Sequence, residues 1–445
     1  MVATSCLERT VCMGVIAIAD GYVTELASQG RDRMRSEGFI RVQIGTLIIA
    51  TSVIQLANGF YGTFISLRVG IESFDAIMAG LVLSSYFAGF TLAALFCGRI
   101  IERIGHIRAY AAFAGVVASA TACMPLWVGP LSWIILRAIV GFGCAGIFVT
   151  TESWLNAKAP PSERGRVFSI YMVGTFPALA IGQLLIGRAN IQTAAPFNAI
   201  VALFAMALVM VTTTRAEPPQ ATATERLPYG QLSRAAPVAV VGCVLSGLIA
   251  GTFYSLVPAW MQDVDIERGR IALFMLVAVL GGFAFQIPIG WISDRFDRRV
   301  VLAALGLGFA GTALALVGLP HSLPVVASTA VLLGGFMSTL YPVCVAHAHD
   351  RMPMDRVVAV SGRLILVSGL GSVLGPLIGS SIMSRLDIDG VFYFMAAAAL
   401  LLGLVAGARS LTTAPPQHLR RPFEILAPQA APLAHDTQVA LDDSP

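Results

Sequence analysis

The sequence predicts an all-α integral membrane protein with twelve transmembrane helices in two pseudo-symmetric six-helix halves. Three observations predict it. The chain is 56% hydrophobic and 12% charged, against roughly a quarter charged in a soluble domain. Apolar runs of about 20 residues, enough to cross a hydrocarbon core of about 30 Å, recur along nearly all of it. Two separate motifs also repeat at one offset. Gly98-Arg99-Ile100-Ile101-Glu102-Arg103-Ile104-Gly105-His106-Ile107-Arg108 is echoed 192 positions later by Gly290-Trp291-Ile292-Ser293-Asp294-Arg295-Phe296-Asp297-Arg298-Arg299, and Pro161-Ser162-Glu163-Arg164 is echoed at the same distance by Pro353-Met354-Asp355-Arg356. A shared offset marks a duplicated unit.

Residues 1–42 carry five arginines and one apolar run, Val11 to Ala19, too short to span. They read as a cytoplasmic N-terminal extension. Glu8 beside Arg9 and the lack of a cleavage site count against a secretory signal, and a start at Met34 is the alternative. The first half, 43–213, has spans near 43–66, 75–97, 107–126, 130–151, 167–187 and 195–213. The linker 214–236, with Pro218, Pro219 and Pro228, is expected to be irregular and cytoplasmic. The second half, 237–408, has spans near 237–260, 270–291, 300–319, 322–345, 359–383 and 390–408. The tail 409–445, rich in proline and alanine, is expected to be disordered and cytoplasmic.

The net charge of +4 rests almost wholly on arginine, grouped in short loops. That grouping describes topology and not nucleic-acid binding. Segments on one side of the alternation hold 23 of the 29 Lys and Arg, the other side holds five, and Arg137 lies within a span. Short cytoplasmic loops carry the positive excess, so both termini are predicted cytoplasmic. The seven cysteines have no ligand-like spacing and read as free packing thiols. His347-Ala348-His349 lacks further ligands and reads as a cytoplasmic loop pair, not a metal site. No cofactor is implied. There is no P-loop and no sequence-local nucleophile triad, and the chain is not read as an enzyme.

The motif around Gly98 and Gly290 joins spans two to three and eight to nine. Glycine at a span end permits close approach of a neighbouring helix, and the acids that follow, Glu102 and Asp294, can pair with arginine. The gating set is therefore Gly98, Glu102, Arg103, Gly105 and Arg108, with Gly290, Asp294, Arg295, Arg298 and Arg299 in the second half. A topogenic positive loop is the plainer reading of one copy; two matched copies favour a latch. Arg137 is the one strongly basic residue inside a span, about 10 Å from its outer end. An arginine there is expensive and normally faces a cavity or a partner; snorkelling to the interface is the alternative. Gln55, Asn58, Tyr61, Tyr254, Gln286 and Tyr341 are the polar and aromatic span residues that mark a pocket or act as helix-to-helix glue. Glu152, at the cytoplasmic mouth of span four, is the better of two carboxylates for proton coupling, or a structural latch; Asp75 is the other.

On these residues the chain resembles the major facilitator superfamily (MFS) over 43–408. Both motifs are similar to that family's signature between spans two and three, with Glu102 where Asp is common and Asp297 where the second copy would have Gly. Arg137-Ala138-Ile139-Val140-Gly141-Phe142-Gly143 is similar to the family's span-four motif. Glu152-Ser153-Trp154-Leu155-Asn156, Arg164-Gly165-Arg166, Tyr171-Met172 and Gly182-Gln183-Leu184-Leu185 resemble the YcaD-like bacterial carriers. The resemblance implies a cavity lined by spans one, four, seven and ten, a solute site near the bilayer midplane, and rocking of the two halves. For Arg137 it implies anion binding or control of a proton site. Gly369-Leu370-Gly371 through Gly375-Pro376 to Gly379 suits a gating helix. Its first-half counterpart, Gly174 through Pro177 to Gly182, lacks the Gly-Pro pair of drug antiporters.

The expected function is a secondary active transporter of a small organic solute, with protons as the candidate coupling ion. A drug or toxin exporter of the same fold, or a non-transporting sensor on that scaffold, are the alternatives. The expected partners are a small-molecule substrate and the lipid bilayer, with no nucleic acid, and the chain is expected to be a monomer.

Overall fold

The computed structural model describes residues 42–160, 163–214, 229–352, 356–412 and 423. The expected N-terminal extension and nearly all of the tail lie outside the described residues, as do 161–162 and 353–355 of the second repeated motif. The described residues form thirteen helices: α1 (Val42–Ile71), α2 (Ala76–Ile104), α3 (His106–Cys123), α4 (Pro130–Lys158), α5 (Arg164–Arg188), α6 (Ala195–Thr212), α7 (Tyr229–Ala235), α8 (Pro237–Asp263), α9 (Arg268–Arg295), α10 (Arg298–Gly318), α11 (Leu323–His349), α12 (Val357–Arg385) and α13 (Gly390–Thr412). Eleven are long and apolar enough to cross a membrane. The twelfth long helix is α3, whose eighteen residues begin with His106 and Arg108; it packs on α4 and α6. The linker is not wholly irregular: its last residues form the short α7, and Leu232 is buried.

Several helices run past the apolar stretch that announced them. The segment from Gly98 to Ile104 is the end of α2, not a loop, and α9 likewise continues to Arg295. Backbone hydrogen bonds within a helix are satisfied whether or not its side chains are apolar, so hydropathy marks the lipid-facing length and not the helix end. His347 and His349 are corrected in the same way. They occupy the last turn of α11, with His347 buried and His349 Nε2 2.8 Å from Ser361 Oγ.

The two halves repeat one packing scheme, and glycine defines it. In α2 and α4, a Cβ on Gly89 would strike the Ala138 carbonyl, and one on Gly141 would strike that of Tyr86. In α9 and α11, Gly281 faces the Val331 carbonyl and Gly334 that of Ala278. The pattern holds again for α1 with α5, where Gly59 meets Leu179 and Gly182 meets Leu56, and for α8 with α12, where Gly251 meets Ser372 and Gly375 meets Leu248. Four backbone-on-glycine contacts thus recur, with an offset of 192 in α1 and α2 and 193 in α4 and α5. Lipid offers no hydrophobic drive between helices, so such close approach holds them together through dispersion. Across the halves α2 packs on α12 and α5 on α9, two contacts exchanged by the same symmetry.

Candidate functional site

Between the halves lies a cavity of about 1710 Å³, counting the part open to solvent. It is lined from α1, α2, α4 and α5 on one side and from α8, α11 and α12 on the other. The four helices expected from the resemblance are among these; α2, α5 and α12 were not expected.

Arg137 is 5% exposed and lines this cavity. Its guanidinium carbon lies 4.7 Å from the centre of the Tyr86 ring and 5.2 Å from that of Tyr61. The side chain therefore does not snorkel. Its Nε has no hydrogen-bond partner. Tyr61 is fixed in turn, donating to Met124 Sδ at 3.0 Å and accepting from Thr121 Oγ1 at 3.1 Å. Asn58 lines the cavity, with Nδ2 3.5 Å from Gln55 Oε1 and Oδ1 3.5 Å from Cys144 Sγ. From the second half Tyr254 and Tyr341 line it, and the Tyr341 hydroxyl, buried, has no hydrogen-bond partner.

Two expected pocket residues, and the carboxylate expected at the cytoplasmic mouth, lie outside the wall. Gln55 is buried behind Asn58, one helical turn away, and is not part of the wall. Gln286 is fully buried within α9, outside the cavity lining. Glu152 is buried near Tyr171 of α5 and is not part of the wall either. Mid-span depth is the same for a residue facing a pathway and one facing another helix, so depth alone did not separate them. Asp75 is a helix cap, accepting from the Ile77 backbone N–H at 2.8 Å.

Other wall residues escaped the sequence reading. Gln183, which accepts from Thr63 Oγ1 at 2.6 Å, was quoted only as part of a signature. Tyr86 was not singled out, although a mid-span tyrosine like Tyr61 was the available signal. The serines of the second half, Ser246, Ser338, Ser368 and Ser372, carry no such signal, since serine is common in membrane helices as glue.

The repeated motif differs between the halves. Gly105 turns the chain with φ 81°, a conformation side chains rarely adopt. At the matching position Asp297 has φ −61° and caps α10, accepting from the Arg299 backbone N–H at 2.9 Å. The second turn is thus made by a capping carboxylate in place of a left-handed glycine. Burial pushes the Asp297 carboxyl up, but the hydrogen bonds and charge of Arg299 outweigh this and hold it below the usual carboxylate range. Arg299 also donates to the Arg409 carbonyl at 2.6 Å, tying α10 to α13. Arg298 bonds Asp350 at 2.7 Å, with both side chains buried, and reaches Asp294 at 3.2 Å. Arg295 lies over the Trp291 ring at 3.7 Å.

In the first half Glu102, Arg103 and Arg108 are exposed, and among the described residues Glu102 makes no ion pair. Gly98 faces open space. The matching Gly290 is covered by the ring of Phe423, whose backbone N–H donates to Asp294 Oδ2 at 3.1 Å. The halves meet at the opposite end. There Ser66 Oγ donates to the Ser255 carbonyl, Arg268 donates to the Ala189 carbonyl at 3.1 Å, and Gly187 lies against Gly269. From Arg137 the cavity continues to Val149, about 18 Å along α4 toward the motif end.

The sequence profile of the Major Facilitator Superfamily matches residues 47–281 and 239–435. The MFS-type transporter YcaD of Escherichia fergusonii is 29% identical over 377 residues, 84% of this chain and 97% of that protein. An MFS-type transporter of Enterobacter sp. (strain 638) is 30% identical over 358 residues, 80% of this chain and 92% of that one. Among solved structures, a mutant of the nucleoside transporter NupG superposes with a TM-score of 0.73 at 12% identity, covering 83% of this chain and all of that one. An inward-facing, unoccupied bacterial homolog of the lysosomal transporter Spinster gives 0.67 at 16% identity, covering 83% and 96%. At these identities the structural likeness concerns the fold.

Proposed function

Since the chain belongs to the major facilitator superfamily and is a membrane transporter, we propose that it moves a small organic solute across the bacterial inner membrane by alternating access, with both termini in the cytoplasm. The observation that carries this reading is the cavity itself, built from both halves and containing a buried arginine from only one of them. Contacts between the halves gather at the end away from the repeated motifs, and the cavity runs toward the motif end. With the motifs cytoplasmic, the conformation is inward-facing. Gly98 in open space and Glu102 without an ion pair then belong to a parted gate, which closes when the site opens outward. The duplicated chain encloses its own pathway, which supports a monomer.

Protons are the candidate coupling ion. Glu152, fifteen residues and so about 22 Å along α4 from Arg137, is the carboxylate such coupling would use. The aromatic wall of Tyr86, Phe87 and Phe90 also suits export of an amphiphile, the second reading within this fold. Uptake and efflux of a broad metabolite panel by proteoliposomes, with and without an imposed pH gradient, test these statements. Solute movement that responds to the gradient supports proton coupling, and movement indifferent to it removes that part alone. No movement of any solute in either direction contradicts transport.

A further inference from the structure

We propose that the solute is a small organic anion with an apolar or aromatic body, its acid group seated on Arg137 and a second acceptor reaching the Tyr341 hydroxyl. This inference rests on the transport reading and names the chemistry of its site. The charge inventory of the wall comes first. Among the described residues Arg137 is its only charged residue, and no Asp, Glu, Lys or His lines the cavity. Among the described residues Arg137 makes no ion pair, and its Nε is a buried donor without an acceptor. The faces of Tyr61 and Tyr86 attract the cation, but they offset only part of what burial at this depth costs a guanidinium. A cationic solute would add repulsion to that deficit. A neutral one would leave it standing, and an anion removes it.

Arg137 is also not a demand of the scaffold. The offset of 193 that relates Gly141 to Gly334 beside it places Ala330 at the matching position, so the same helix packing forms without a charge there. The carboxylate that could neutralise Arg137 from within α4, Glu152, is about four turns away. The remainder of the wall defines the rest of the ligand. Leu83, Phe87, Phe90, Leu179, Met337 and Ile365 offer apolar surface. The Tyr341 hydroxyl is a second buried group without a partner, contributed by the half that does not carry Arg137. A solute holding both groups would bridge the halves, as one that must travel with their movement should.

The test uses the purified full chain in lipid nanodiscs and reads thermal unfolding with matched probes: benzoate, octanoate and phenyl phosphate against benzamide, octanamide and benzylamine. Ligand binding raises the melting temperature by mass action. The expected result is a rise with one or more of the acids and none with its uncharged or cationic match. Arg137→Gln then weakens the acid's binding about ten- to a hundredfold, the range for a lost hydrogen bond to a charged group, and Arg137→Lys weakens it less. Tyr341→Phe keeps the shape of the wall and weakens binding severalfold, which preserves the test if Arg137→Gln does not fold. Amides or amines that bind as well as the acids overturn the anion assignment and leave transport standing. If none of the probes binds, and a broad neutral, cationic and anionic panel is not moved by proteoliposomes, both readings fail together.

Discussion

The guanidinium of Arg137 stands 4.7 Å from the centre of the Tyr86 ring, in a wall that among the described residues holds no other charge. A cation over an aromatic face contributes about 0.5–2 kcal/mol, the larger figure where water is excluded. Tyr86→Phe keeps that face and is expected to leave thermal stability nearly unchanged. Tyr86→Leu is expected to lower it by about 0.5–2 kcal/mol, and by much less in an Arg137→Gln background. A double-mutant cycle on melting in detergent measures the difference; equal losses in both backgrounds would show that the ring acts only by packing.

The repeated glycine contacts make a paired prediction. Gly141→Val drives a side chain into the Tyr86 carbonyl, and Gly334→Val does the same at Ala278 in the other half. Overpacking typically costs about 1–3 kcal/mol and more where backbone must move, so both variants are expected to lose most of their folded yield in fluorescence-detected size-exclusion chromatography. Gly98→Val, facing open space in this conformation, is expected to retain its yield.

Removing one member of a buried ion pair leaves the other charge uncompensated, at about 3–5 kcal/mol. Arg298 and Asp350 are such a pair, at 2.7 Å with both side chains nearly inaccessible, and the more exposed Asp294, 3.2 Å from Arg298, offsets only part of the loss. Asp350→Asn is therefore expected to lower the melting temperature sharply. The exposed Glu102→Gln is expected to leave it unchanged, and equal effects from the two would contradict the contrast drawn between the motif ends.

Phe423 covers Gly290 and bonds Asp294, while the matching Gly98 is uncovered. Phe423→Ala should therefore make the motif face of the second half as accessible as that of the first. Maleimide labelling of a cysteine placed at Gly290, in a chain whose native cysteines have been replaced, is expected to speed up severalfold in that background, and an unchanged rate would show that the ring does not shield the site.

Much of this was legible in the sequence. The offset between the motifs announced the duplication, because a linear repeat survives any error in helix boundaries. Arg137 announced the cavity, because a charge at that depth needs a reason. Gln55 and Gln286 misled for a physical cause: a glutamine buried between helices and one facing a pathway have the same hydropathy and the same depth. Which face of a helix is taken up by a neighbour in its own half is marked by glycine-to-carbonyl approaches such as Gly59 on Leu179, and those are properties of pairs of helices. The substitution of Asp297 for glycine was visible as a departure, but its solution, a helix cap, needed the position of the Arg299 backbone N–H.

Alternating access itself is best tested by distances across the two faces. Spin labels at Arg166 and Phe296 report the motif ends of α5 and α9, and labels at Ile77 and Leu386 report the opposite ends of α2 and α12, in a chain whose seven cysteines have been replaced. Double electron–electron resonance in nanodiscs should show two distances for each pair, with the long one at one face populated when the short one is populated at the other. A single unchanging distance at both faces, under every solute and pH that alters transport, would contradict it.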